Sequence, residues 1–172
     1  MLTPPLSARD HIQGSPEASI VLVEYGDYEC PYCGEAYPVV KELQQRLKGK
    51  MSFVFRNFPL ANAHPHAEFA AEAAEAAAGQ GKFWEMHDVL YENQQALEPD
   101  NLIEYGSALG LDMRRFTKEL NEHVYVARVR EDFRSGVRSG VNGTPTFFIN
   151  GVRYNGSYDP RSMLTALKEA TA

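Results

Sequence analysis

Hydrophobic positions divide this chain into three regimes. Ile20-Val-Leu-Val-Glu-Tyr25 is a nearly unbroken apolar run, the mark of a central strand covered on both faces. Pro31 to Leu47 follows with helical apolar spacing, and Gly49-Lys50 marks a turn. Met51-Ser-Phe-Val-Phe-Arg56, rich in aromatic and β-branched residues, predicts a second strand, with a loop over Asn57 to Asn62. Two strands separated by one helix read as a βαβ unit with a parallel pair. Ahead of them, residues 1–18 are rich in Pro, Ser and Gly and are expected to wrap the surface, with a turn or short edge segment over Asp10 to Gly14.

From His64 to Gly140 the apolar period becomes helical. A first segment runs between Pro65 and Gly79, with Glu68, Glu72 and Glu75 on one face and Phe69, Ala73 and Ala76 on another. A second spans about Lys82 to Gln95, a third opens at Pro99-Asp100 and ends near Gly110, and Asp112 reads as the N-cap of a fourth. A fifth covers Val124 to Arg138, with Tyr125, Val129, Phe133 and Val137 spaced for one face. Arg128, Arg130, Arg134 and Arg138 on it read as a solvated face. The β pattern then returns: a strand over Thr146 to Ile149, a type I′ turn at Asn150-Gly151 and a return strand over Val152 to Asn155. Asp159 caps a last helix, Pro160 to Ala170.

The predicted architecture is α/β. Residues 15–63 and 141–172 form its frame, and about five helices over 64–140 are inserted in it. With 44% hydrophobic residues, the 172-residue chain can bury a substantial core as a single domain. A net charge of −6 argues against a nucleic-acid footprint, and no apolar run is long enough to insert in a membrane. Met1 to Asp10 has neither the basic nor the apolar region of a secretory signal. As written the chain reads as cytoplasmic and monomeric; with a signal already removed it would be periplasmic or otherwise extracytoplasmic.

Chemistry concentrates where the first strand meets the first helix. The only two cysteines are Cys30 and Cys33 of Cys30-Pro31-Tyr32-Cys33. If the helix begins at Pro31, Cys30 is its N-cap and Cys33 lies about one turn on, on the same side. A helix N-terminus carries about +0.5 of charge and unpaired N–H groups, which favour a thiolate. A partly exposed, acidic thiol with a second thiol beside it can run thiol–disulfide exchange. Zinc would need four ligands, and neither a second Cys pair nor a strong spacing among His11, His64, His66, His87 and His123 supplies them. A purely structural disulfide would close a very short loop and remove little chain entropy. Core packing and caps are the commoner roles for His66, His87 and Trp84. Glu24, six residues before Cys30, interrupts a buried strand, where a carboxylate has a raised pKa and could accept the proton of a buried thiol.

Gly143-Thr144-Pro145-Thr146 before a strand, taken with Cys30-Pro-Tyr-Cys33 after one, resembles the thioredoxin fold. The helical block between the motifs resembles the DsbA-like branch, the bacterial thiol:disulfide oxidoreductases, over about Ser15 to Ala170. The resemblance implies a cis peptide bond at Pro145, which would turn the Thr144 backbone outward to pair with an extended substrate. It implies a nucleophilic Cys30, a resolving Cys33 and a proton-transferring Glu24. Pro31, Tyr32, Thr144 and Pro145 would contact substrate, and Tyr28, Tyr32 and Phe58 would be groove aromatics. Thr144 stands where well-known periplasmic members have Val, and Tyr32 where they have His, so strong oxidising power is not carried over. No cofactor or metal is required, because the two sulfurs carry the electrons. The implied partners are proteins with thiols or disulfides and an unidentified redox partner. A glutathione-dependent reductase or transferase, and a non-enzymatic metal-binding or chaperone-like module, are the competing readings.

Overall fold

The computed structural model describes residues 1–15 and 17–171; Pro16 and Ala172, the last residue of the expected frame, lie outside the described residues. Five strands form one mixed sheet: β1 (His11–Gln13), β2 (Ile20–Gly26), β3 (Met51–Asn57), β4 (Thr146–Ile149) and β5 (Val152–Tyr154), in the order β1-β3-β2-β4-β5. The β2–β3 pair is parallel and the other pairings are antiparallel. α1 (Pro31–Arg46) makes the crossover between the parallel strands. Between β3 and β4 come α2 (Ala67–Ala78), α3 (Phe83–Glu92), α4 (Pro99–Ala108), α5 (Met113–Asn121) and α6 (Val126–Arg138); α7 (Pro160–Glu169) closes the chain.

Alternation along β2 sorts the sheet's two faces. Ile20 and Leu22 join Phe53 and Phe55 of β3 in a large core with α1, α2, α3 and α7. Val23 and Tyr25 join Val54, Phe58 and Phe148 in a smaller core on the other face, where Phe133 of α6 and Leu2 and Leu6 of the N-terminal segment cover them. Asn150 and Gly151 both take positive φ, as the β4–β5 hairpin turn requires. Asp112 and Asp159 cap α5 and α7 by accepting from Arg115 N and Ser162 N.

The pattern-based expectation holds in places and fails in others. The segment over Asp10 to Gly14 does hold an edge strand, antiparallel to β3. The N-terminal residues are tied down by a buried ion pair: Arg56 Nε donates to Asp10 Oδ1 at 2.7 Å, and its other nitrogens reach the carbonyls of Pro4 and Pro5. α2 is buried almost all round, so Glu72 and Glu75 face inward, bonded to His123 and His11 from distant segments. α6 buries Val129, Asp132, Ser135 and Gly136, while Val137 is 56% exposed. The apolar spacing misled here because Gly136 lets the rings of Phe58 and Tyr25 approach the helix backbone. Arg128 is likewise not solvated; it pairs with Asp132 and Glu75.

Candidate active site

β2 runs from the core to a turn, Asp27-Tyr-Glu29, that delivers the chain to Cys30. The Asp27 side chain is fully buried and accepts from Glu29 N, Leu60 N and His64 Nδ1, each at 2.8 Å. Its backbone carbonyl accepts from Cys30 N at 3.1 Å. Cys30 is the N-cap of α1 with extended backbone (φ −71, ψ 122), and Pro31 takes the first turn, where no N–H is needed. Gln94, from the helical insertion, donates to both Tyr28 O (3.0 Å) and Cys30 O (2.9 Å). Its carboxamide fills the space that a side chain at Gly34 would need.

Both cysteines are free thiols. Cys33 is wholly buried, and Cys30 is 3% exposed rather than the partly open group that the sequence suggests. Its sulfur packs against the Thr144 carbonyl and its own carbonyl is bonded by Gln94, while Pro31 and Tyr32 beside it are exposed and Thr144 and Pro145 half-buried. Tyr32 is 61% exposed. Cys30 Sγ lies 3.5 Å from Thr144 O, and the Thr144–Pro145 peptide bond is cis.

The two sulfurs have opposite acidities. The hydrogen bond from Cys33 holds Cys30 down to about 5, against desolvation, with help from the N–H groups of the first turn. Burial pushes Cys33 well above the ordinary thiol range, and its bond to Cys30 adds to the effect. Glu24 sits between Phe55 and Phe147 in the sheet register and is 2% exposed. Among the described residues its Oε1 has no hydrogen-bond partner, and burial, with the charge of Cys30, raises its pKa to about 8. Gly26 makes this arrangement possible. A Cβ there would lie 3.0 Å from Glu24 Oε1 and 2.8 Å from the Tyr91 hydroxyl.

Cys30, Cys33, Thr144 and Pro145 thus share one site, with Glu24 behind it and Pro31 and Tyr32 at its mouth. Tyr28 and Phe58 do not line it. Tyr28 is core, bonded through its hydroxyl to His87 Nδ1 at 3.0 Å, and Phe58 stacks on Phe133 at 4.2 Å on the far face. Asp27, Gln94 and His64 are the members that sequence reasoning passed over. Asp27 alone left a trace, since an Asp two residues before a turn amide is a common local cap. Among the described residues, no group of three or more His, Cys, Asp or Glu side chains is placed to hold a metal ion.

A family model described as thioredoxin matches residues 7–169. The chain belongs to the thioredoxin family. Within that family its fold is DsbA-like. A thioredoxin-like oxidoreductase from Silicibacter pomeroyi DSS-3 superposes with a TM-score of 0.84 at 26% identity, covering 95% of this chain and 93% of that one. BdbD from Bacillus subtilis, in its oxidised form, gives 0.85 at 21% identity over 94% and 92% of the two chains. Wolbachia pipientis alpha-DsbA1 gives 0.82 at 20% over 97% and 92%. In sequence, this thioredoxin-family chain is 47% identical over 164 residues to a protein named Na(+)/H(+) antiporter NhaA 1 from Salinispora arenicola (strain CNS-205). The match covers 95% of this chain but 25% of that protein. The chain therefore spans about a quarter of the length of the curated relatives it matches. No described helix is long and apolar enough to cross a membrane.

Proposed function

We propose that this chain is a dithiol–disulfide oxidoreductase acting on protein thiols or disulfides through a mixed-disulfide intermediate. The observation that carries the reading is the placement of two free thiols at the start of α1, Cys30 Sγ lying 3.5 Å from the carbonyl oxygen of Thr144 before the cis Pro145, in surroundings that hold Cys30 down to about 5 and push Cys33 far up. In the oxidising direction, a substrate thiolate attacks Cys30 Sγ and the Cys30–Cys33 bond breaks. Cys33 leaves and takes a proton, which protonated Glu24 can supply. A second substrate thiolate then attacks the substrate sulfur of the mixed disulfide, and Cys30 departs as a thiolate. Two substrate thiols have become a disulfide, and the cysteine pair has gained the two electrons. In the reducing direction the steps reverse, and Glu24 accepts the Cys33 proton before Cys33 displaces the substrate.

Which direction prevails depends on the reduction potential relative to the compartment and on the redox partner that resets the pair. Pro31, Tyr32, Thr144 and Pro145 form the substrate rim, with the Thr144 backbone available to pair with an extended segment. The relatives named as antiporters share one quarter of their length with this chain, and the reading takes over no transport activity from the remainder. Cys33→Ser is the direct test. The variant should accumulate protein adducts through Cys30 that reductant releases, and these should vanish in Cys30→Ser. Turnover of glutathione mixed disulfides by Cys33→Ser without protein adducts would favour a glutathione-dependent enzyme instead.

A further inference from the structure

The Pro31-Tyr32 dipeptide puts no cation between the two sulfurs. The loop between β3 and α2 brings His64 to the turn that ends in Cys30. His64 Nδ1 lies 2.8 Å from Asp27 Oδ2, with the Asp27 side chain 0% and the His64 side chain 19% exposed. The same carboxylate accepts from Leu60 N and Glu29 N, and the Asp27 carbonyl accepts from Cys30 N. One buried anion thus fixes the turn that ends in Cys30 and the loop that carries His64. A second pairing bolts the loop down alongside: His66 N donates to Glu29 Oε2 at 2.7 Å, and His66 Nδ1 lies 2.8 Å from Glu29 Oε1. His64 Nδ1 is committed to Asp27, and among the described residues no hydrogen bond uses its Nε2.

The ring is bonded to Asp27, and the other negative groups that act on it are Glu29 from the turn after β2 and Cys30 at the start of α1. His66 is next but one in its own loop, with Glu98 at the start of α4 on the far side of His66. Burial lowers the proton affinity of His64, but the Asp27 hydrogen bond and the negative charges of Asp27, Cys30 and Glu29 outweigh it and raise the pKa above the ordinary value. The only other cation in the group, His66, is itself engaged by two carboxylates.

We propose that His64, held in place by Asp27, supplies the positive charge that stabilises the Cys30 thiolate, a charge the Cys30-Pro-Tyr-Cys33 motif does not carry itself. The inference rests on the oxidoreductase reading above. It makes His64 a residue that acts through Cys30 by its charge and not by contact with substrate. Stabilising the thiolate favours the reduced form, so His64 raises the reduction potential of the pair. That contribution is present while the ring is protonated and disappears as pH rises through the elevated His64 pKa.

The test compares wild type, His64→Gln and His64→Lys in two assays: ultraviolet thiolate absorbance against pH, and equilibrium with glutathione from acid to alkaline pH. His64→Gln should raise the Cys30 midpoint by about one pH unit, the effect of losing a nearby opposite charge. That is a tenfold loss of thiolate stabilisation, and for this two-electron couple a tenfold change lowers the potential by about 30 mV. The gap should close at alkaline pH, and His64→Lys should recover part of it. If His64→Gln does not fold, the reciprocal measurement needs no change in the loop. The His64 ring, followed by NMR, should lose about one pH unit of its own pKa in Cys30→Ser, because coupling between two sites is mutual. A folded His64→Gln with the wild-type midpoint and potential, or a His64 pKa indifferent to Cys30, overturns the proposal. A wild-type Cys30 midpoint in the ordinary thiol range, with no exchange activity, would instead sink the oxidoreductase reading itself.

Discussion

The sulfur of Cys30 lies 3.5 Å from the carbonyl oxygen of Thr144, although the two residues are 114 positions apart. The contact joins the N-terminus of α1 to the loop before β4, so the thiol and the backbone that the proposed function pairs with a substrate lie side by side. β2 brings them together: it runs into the Cys30 turn at one end and pairs with β4 along its length.

Glu24 should make stability depend on pH in an unusual sense. Its folded pKa of about 8 lies above the ordinary 4.5, so the unfolded chain releases the proton first. The carboxyl therefore costs nothing below the unfolded value and progressively destabilises the fold as pH rises from there towards 8. Glu24→Gln should be more stable than wild type by about 2–4 kcal/mol above pH 8, with the gain gone at strongly acid pH. Urea unfolding at the two extremes checks this; an equal gap at both would refute it.

The same substitution should slow chemistry. Cys33 can attack only as a thiolate, and burial holds its proton on. Stopped-flow measurement of the decay of a Cys30 mixed disulfide should show a slowing of about tenfold to a hundredfold at neutral pH in Glu24→Gln, the low end of what a positioned proton acceptor contributes. Unchanged decay would remove Glu24 from the mechanism.

Cys30 works in the opposite direction on stability. Its folded pKa of about 5 lies below the ordinary 9, so the reduced protein gains stability above the unfolded value and loses it as pH falls through about 5. Relative to Cys30→Ser, the reduced wild type should gain about 2 kcal/mol between those limits, a figure discounted for solvent screening. A gap that does not grow with pH would contradict a stabilised thiolate.

The Arg56 and Asp10 side chains are 3% and 4% exposed and bonded to each other. Arg56→Ala leaves a carboxylate buried without its partner and should cost about 3–5 kcal/mol. It should also release the N-terminal segment from the sheet, read as faster proteolysis before Asp10. Replacing both residues with apolar ones should cost much less, because no charge is then stranded.

The legible parts of the fold are those in which local pattern and tertiary role coincide. The apolar run of β2, the Asn150-Gly151 turn and the caps at Asp112 and Asp159 each announce their own geometry. Glu24 was legible for a related reason: a carboxylate in a doubly covered strand is conspicuous. α2 was not, because an alanine-rich helix shows no stripe, and the partners that let Glu72 and Glu75 turn inward come from His123 and His11. Gln94 and His64 were hidden in the same way. Their work is done on Cys30 and Asp27 across 64 and 37 residues of chain, and nothing in their own neighbourhood marks them. Tyr28 shows the converse error, since adjacency to a motif says nothing about which way a ring points.

The most direct test of the account is the acid titration of thiolate absorbance in the reduced protein. The absorbance should fall with a midpoint of about 5, and the signal should be absent from Cys30→Ser over that range. A midpoint near 9, or a transition at pH 5 that survives in Cys30→Ser, would contradict it.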